Sequence, residues 1–342
     1  MNLIVPGEKF ALVVMPEMVV DQNLPPHGQL ADDLWFSRQL PFDLSPTWVE
    51  WMGTVRANGI QKASLFLISK GPSSQPDILD AENEYYRRRV GNLYWSLIVS
   101  GFIHCDNFPF SIVGAARAEN LEIVRSMGEL PQPHVVSWMD HEKIDLQRLQ
   151  CAAQYAATIP DFQGLNRFDR FGRIMRAFYY GIISHHPPDS LHQFVRCVEG
   201  FIYPDAGSST KQFKSRTELF LGHGFHRLAG ELYDIRSAIE HLHDPFSAIQ
   251  AGTERDKRVN LFVRSVQAEA LARYCIQRVL DNPTLRTHFE TDTAIKGFWK
   301  LSQDERRRLW GAPLDINATT KIIRSDLIRD EDIGLNKTNP SP

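Results

Sequence analysis

The chain has 342 residues and carries 38 lysines and arginines against 41 aspartates and glutamates, a formal charge of −3, with 43% hydrophobic and 11% aromatic residues. That length predicts two domains, and the apolar content suffices to offset the ordering entropy of a sizeable core, so an isolated mini-domain and a disordered chain are both excluded. No global positive field draws the chain to nucleic acid or anionic lipid; a polyanion site must be a local patch, and 27 arginines against 11 lysines make the phosphate-gripping fork the commoner cation.

Residues 1–60 mix short apolar runs with prolines, which favours extended segments and turns. Phe10–Met15 reads as a strand. Ser45–Gly53 has a capping serine, a proline at the first helical position and a closing glycine, and reads as a short helix. Lys62–Ser69, KASLFLIS, is a strand by its length or a buried helix by its leucines. Asp77–Gly101 has the apolar spacing of an amphipathic helix, with Trp95, Leu97 and Ile98 toward a core. Ala115–Met127 reads as helical, and the break at Pro131–Pro133 closes the first unit near residue 140.

From Asp145 the pattern changes to long helical segments. Asp145–Thr158 and Asn166–Ser184 come first, the second stopped by Pro187 and Pro188 after His185 and His186. Asp189–Ile202 follows with Asp189 at the cap, then Gln212–Leu221, Phe225–His243, Arg255–Leu280 and a short helix near Gln303–Trp310. The fold expected is mainly α: a mixed α/β N-terminal domain over 1–144, a helical bundle over 145–285, and a C-terminal helix with a flexible tail over 286–342.

The four cysteines, Cys105, Cys151, Cys197 and Cys275, lie tens of residues apart, which suits reduced, buried thiols rather than a disulfide scaffold. The N-terminus has no basic region before its apolar stretch, and no run approaches the ~18 apolar residues of a membrane span. A soluble cytoplasmic protein without membrane contact is expected.

The segment that carries chemistry is Glu231–His243, ELYDIRSAIEHLH. Arg236 and His241 stand in an R-x4-H arrangement, preceded by Tyr233 and Asp234, with Ser237 after the arginine. Composition alone supplies about one such spacing per chain of this length, so the weight falls on the neighbours. Upstream lie FVRCVEGFIY (Phe194–Tyr203), a small-residue loop and KSRTELFLG (Lys214–Gly222). In that order, over roughly residues 145–285, the chain resembles the HEPN (higher eukaryotes and prokaryotes nucleotide-binding) superfamily. It is most similar to the ApeA-like branch, whose helix carries "LYDxRSxxxHG". The family stretch ends in glycine after the histidine; here Leu242 and His243 follow, which predicts a helix running on past the site.

The resemblance implies an HEPN-like bundle acting as a metal-independent endoribonuclease, its arginines and histidines converging at a two-fold dimer interface. His241 would be the general acid/base, Arg236 the transition-state clamp and Ser237 a helper, with Tyr233, Asp234 and Glu240 in support. The setting implied is phage defence or toxin-like growth arrest. RNA is the substrate, a homodimer the working form, an antitoxin or sensor protein a further partner, and no cofactor or metal is called for. Imidazole titrates near neutrality and guanidinium stays charged, so both residue types suit phosphodiester cleavage. Helix geometry adds that positions five apart differ by about 140°, so Arg236 and His241 cannot converge from one regular helix. A two-fold pairing of such helices could assemble the site. The alternative is a non-catalytic dimerisation or nucleotide-binding module with a partner-recognising N-terminal domain, Arg236 being paired with a carboxylate such as Glu231, Asp234 or Glu240.

Arg167, Arg170, Arg173 and Arg176 recur every third residue and form a slanting stripe that could follow an RNA backbone, or a solvated helix face over a phenylalanine core. Arg255, Lys257, Arg258 and Arg264 read as plain surface. His223, His226, His241 and His243 lack the cysteine or carboxylate that would complete a metal set.

Overall fold

The computed structural model describes residues 3–73, 81–103, 108–117, 120–133, 139–140, 142–159 and 170–335. The chain divides into two units, Met1–Val135 with His141–Gly164, and Val136–Asp140 with Leu165–Pro342. The protein is mixed α/β and helix-rich, with thirteen α-helices and a six-stranded sheet among the described residues.

The first unit is built on an antiparallel sheet of β1 (Glu8–Pro16), β2 (His27–Ala31), β3 (Leu34–Ser37), β4 (Ala63–Pro72), β5 (Phe110–Arg117) and β6 (Asn120–Glu129), in the order β2-β3-β4-β1-β5-β6. Two short helices, α1 (Pro46–Met52) and α2 (Thr54–Gln61), stand between β3 and β4. Ser45 accepts the Trp48 amide and Gly53 closes α1 with a φ of 80°, as the serine, proline and glycine of that segment predict.

On one sheet face Phe10, Leu12 and Val14 of β1 cluster with Phe66 and Ile68 of β4, Ile112 of β5, Met52 and Ile60. The alternate residues of β1 are buried as well, because α3 (Ala81–Ser100) covers the other face. There Lys9, 0% exposed, meets Glu82 of α3 at 2.8 Å. A central strand covered on both faces has no polar side, which is why KASLFLIS reads as a continuous apolar run; it is strand β4.

Two expectations are corrected in this unit. Ala115–Met127 is not helical: Phe110–Arg117 pairs with both β1 and β6, and the sheet overrides the helix-forming alanines. The hairpin β2–β3 lies in the proline-rich stretch 1–60, where extended segments and turns are expected. The helix α4 (Leu146–Thr158), capped by Asp145, belongs to the first unit and not to the helical one, so the boundary expected at 144/145 falls on the wrong side of it. It packs on α3, where Arg148 donates from Nη2 to the Phe102 carbonyl at 2.7 Å and from Nε to Ser100 Oγ at 3.2 Å.

The second unit is helical: α5 (Arg170–Ile183), α6 (Pro187–Ile202), α7 (Ser209–Leu221), α8 (His226–Glu240), α9 (Glu254–Asp281), α10 (Pro283–Thr287), α11 (Asp292–Lys300), α12 (Gln303–Trp310) and α13 (Ile316–Thr320). α6 packs against α5, α7, α8 and α9, so its apolar residues Leu191, Phe194, Val195, Val198 and Phe201 are all buried. Pro187 and Pro188 open α6, with His186 at the cap position and Asp189 in the first turn, in place of the Asp189 cap expected. Residues 286–335 are no appendage. Trp310, 0% exposed, packs its ring 4.4 Å from Phe220 and 6.0 Å from Phe289, and Arg255 reaches Asp330 at 3.0 Å. The remainder of the expected tail, 336–342, lies outside the described residues.

Among the described residues no helix is long and apolar enough to cross a membrane. Cys197 and Cys275 are buried, and burial pushes both thiols well up.

Candidate functional site

The residues singled out on Glu231–His243 lie on α8 and at its end. α8 packs on α6 and α7, with Leu232, Ile235 and Ala238 turned inward. One turn apart on its flank stand Tyr233, Arg236 and Glu240. The face they meet on α6 carries His192, Arg196 and Glu199, at i, i+4 and i+7. Arg236 Nη2 lies 3.2 Å from Glu199 Oε2 and 3.7 Å from Glu240 Oε2, and the same Glu240 oxygen accepts from His192 Nε2. Arg236 and Glu199 are 18% and 16% exposed, so the pair is largely withdrawn from water. The Arg236 guanidinium also sits 6.0 Å from the Tyr233 ring, which is tilted against Phe213 of α7 at 5.2 Å.

The two carboxyls respond in opposite directions. Burial raises Glu199 above the usual carboxylate range in spite of Arg236 and Arg196 beside it. The hydrogen bond from His192 lowers Glu240 against an opposing effect of burial, and the charge of Arg236 lowers it further.

α8 does not run on past the site, contrary to expectation. It ends at Glu240, with His241 as its cap and Leu242 in the left-handed region at φ 58°. Leu242 donates to the Ile239 carbonyl at 3.1 Å and His243 to the Ala238 carbonyl at 2.8 Å, the paired bonds of a Schellman ending. A leucine thus holds the conformation glycine would adopt, and it stands 94% exposed. His241 is exposed beside His243, the two rings 6.1 Å apart.

Within one chain Arg236 and His241 are therefore not brought together: the guanidinium is turned into the α6 cluster and the imidazole is presented at the helix end. Ser237 is half-buried, and its carbonyl accepts the His241 amide at 3.1 Å. Asp234 is exposed. Glu231, named as a partner for Arg236, pairs instead with Arg264 of α9 at 3.0 Å.

Arg167 lies outside the described residues. Arg170 and Arg173 both reach Asp292 of α11 at 2.9 Å, and Arg170 also donates to the Gly200 carbonyl at 2.8 Å and lies over the Tyr203 ring at 4.3 Å. Arg176 is half-buried. The stripe is thus partly neutralised and not a free face. Arg170, Arg173, Arg196 and Glu199 line a cleft of about 320 Å³ between α5 and α6.

The four histidines separate into two pairs. His226 Nε2 lies 2.8 Å and His223 Nδ1 3.7 Å from Glu218 Oε1 at the start of α8, whereas His241 and His243 stand at its far end. Sequence reasoning missed Glu199 and His192, the acceptor and donor that hold the α8 charges. Their i, i+7 spacing on one helix face is visible in the sequence; the helix they face is not.

No family model matches the chain, and neither a curated protein nor a solved structure is significantly similar to it.

Proposed function

We propose that the second unit is an HEPN-like bundle and that the chain is a cytoplasmic, metal-independent endoribonuclease working as a homodimer. His241 acts as general acid/base. It draws the proton from an RNA 2′-hydroxyl as that oxygen attacks phosphorus, and returns it to the 5′-oxygen as the bond from phosphorus to that oxygen breaks, leaving a 2′,3′-cyclic phosphate and a 5′-hydroxyl. Arg236 stabilises the charge that builds on the phosphorane. Until RNA arrives, Glu199 and Glu240 hold the guanidinium in place, and an entering phosphate exchanges one anion for another. Ser237 helps to orient the site, and Tyr233, Asp234 and Glu240 support it. A role in phage defence or toxin-like growth arrest, with an antitoxin or sensor as partner, follows from the same resemblance.

The observation that carries this reading is the end of α8. The helix stops at His241, so an exposed imidazole stands clear of the helical frame five residues after a positioned guanidinium. One feature favours the second reading, a non-catalytic dimerisation or nucleotide-binding module: Arg236 is already paired across α6 and α8 within a single chain.

Incubation with total RNA in the presence of EDTA separates the two. Cleavage is expected from the natural chain, with a loss of about 10²-fold or more in His241→Ala and in Arg236→Lys. His241 is exposed, so its removal leaves the fold in place. RNA cleavage that both variants retain in full sinks the nuclease reading and leaves the module.

A further inference from the structure

A second cleft, of about 370 Å³, lies between α7, α11 and α12 and is lined by Ser215, Arg216, Glu218, Trp299, Arg306 and Arg307, among others. Its charges are poorly matched. Arg216 Nη1 donates to the carbonyls of Ile202 and Tyr203 at 2.9 Å each, and the nearest carboxylate recorded for it, Asp205, is 3.9 Å from Nη2. Arg306 Nη1 donates to the Trp299 and Leu301 carbonyls at 2.8 Å each and pairs with no carboxylate among the described residues. Both guanidiniums lie against the Trp299 ring, at 5.0 and 5.4 Å from its centroid, and the ring is anchored by its Nε1 donating to the Phe201 carbonyl at 3.0 Å. Arg307 donates from Nη2 to His223 Nε2 and likewise pairs with no carboxylate among the described residues.

The one acid of the lining, Glu218, is already engaged by His226 and His223. Three guanidiniums therefore share a concave site with one committed carboxylate. Burial lowers Arg216 and Arg306 from the ordinary guanidinium range; for Arg216 the charge of Asp205 opposes the shift and that of Arg306 adds to it.

We infer that this cleft is a binding site for a small phosphate monoester, its dianionic phosphoryl group held by Arg216, Arg306 and Arg307. Guanidinium forks match phosphate oxygens two at a time, and a dianion meets the local excess of positive charge. The cleft has the size of a small-molecule pocket, larger than an inorganic anion needs, which points to an ester rather than free phosphate. Two arginines already lie on Trp299, so the ring serves to orient guanidiniums. The site is separate in residues from Arg236 and His241 and stands whether or not the chain cuts RNA.

The test titrates the full chain calorimetrically, at constant ionic strength, with adenosine 5′-monophosphate, inorganic phosphate and adenosine. The monophosphate is expected to bind most tightly, phosphate more weakly and adenosine not at all. Arg307 is exposed in the last turn of α12, so Arg307→Glu is expected to weaken monophosphate binding at least about tenfold, with the fold checked by its melting temperature, and Arg307→Lys, which keeps the charge and loses the fork, to weaken it less. His241→Ala is expected to bind like the natural chain, which keeps this result distinct from the nuclease reading. Adenosine binding as tightly as its monophosphate, indifference to Arg307→Glu, or no binding heat up to about 10 mM overturns the site. So does a short RNA that binds here equally well with or without a terminal phosphate, which would make the cleft a polynucleotide surface.

Discussion

Leu242 is the residue at which local geometry and residue type disagree most openly. A left-handed conformation costs a side-chain-bearing residue about 1–2 kcal/mol, and glycine gives back part of that through its looser unfolded chain. Leu242→Gly is expected to raise stability by about 0.5–1 kcal/mol in denaturant unfolding; a loss of stability would mean that the exposed leucine has a contact in the working assembly. The two acids around Arg236 make opposite contributions with pH. Glu240 is lowered from 4.5, so its contribution is present above that value and is lost as pH falls through its folded value. Glu199 is raised from 4.5, so folding favours its protonated form and its contribution is lost as pH rises from about that value. Unfolding between about pH 3.5 and 6 should therefore show a shallower acid decline in Glu240→Gln and a steeper one in Glu199→Gln than in the natural chain.

At the level of elements, what the sequence shows is what neighbouring residues decide. Ser45 and Asp145 cap the helices they precede, and the apolar spacing of Glu254–Asp281 marks α9 without reference to anything else. Ala115–Met127 misleads because its residues make the β5–β6 hairpin, and β5 is held in the sheet by β1, a partner some hundred positions earlier. The same holds for the site: R-x4-H is visible on one line of sequence, while Glu199 and His192 matter only once α6 is laid on α8. Asp292 joins Arg170 and Arg173 in the same non-local way. Asp292→Ala is expected to cost about 1 kcal/mol and to remove the carboxylate that Arg170 and Arg173 share. If the stripe touches RNA, filter binding should then show higher affinity and a steeper salt dependence; unchanged binding would place the arginines in α11 docking alone.

For the whole molecule, the last fifty described residues matter more than their polar sequence suggests. Trp310 closes an aromatic cluster with Phe201, Phe220 and Phe289, so Trp310→Ala is expected to cost about 3–5 kcal/mol and truncation after residue 285 to leave no soluble second unit. A truncated chain with a native melting temperature would show that the cluster is dispensable. The division into units also follows the chain in an unexpected way. Residues 136–140 belong with the second unit, where Met139 forms a bridge with Ile323, and 141–164 return to the first, so the polypeptide passes between them three times. No single peptide-bond cut yields both halves intact. A gene fragment begun at codon 145 or 165 discards the segment that pairs with Ile323, and a protease nick at any of the three crossings leaves a piece of at least one unit joined to the other.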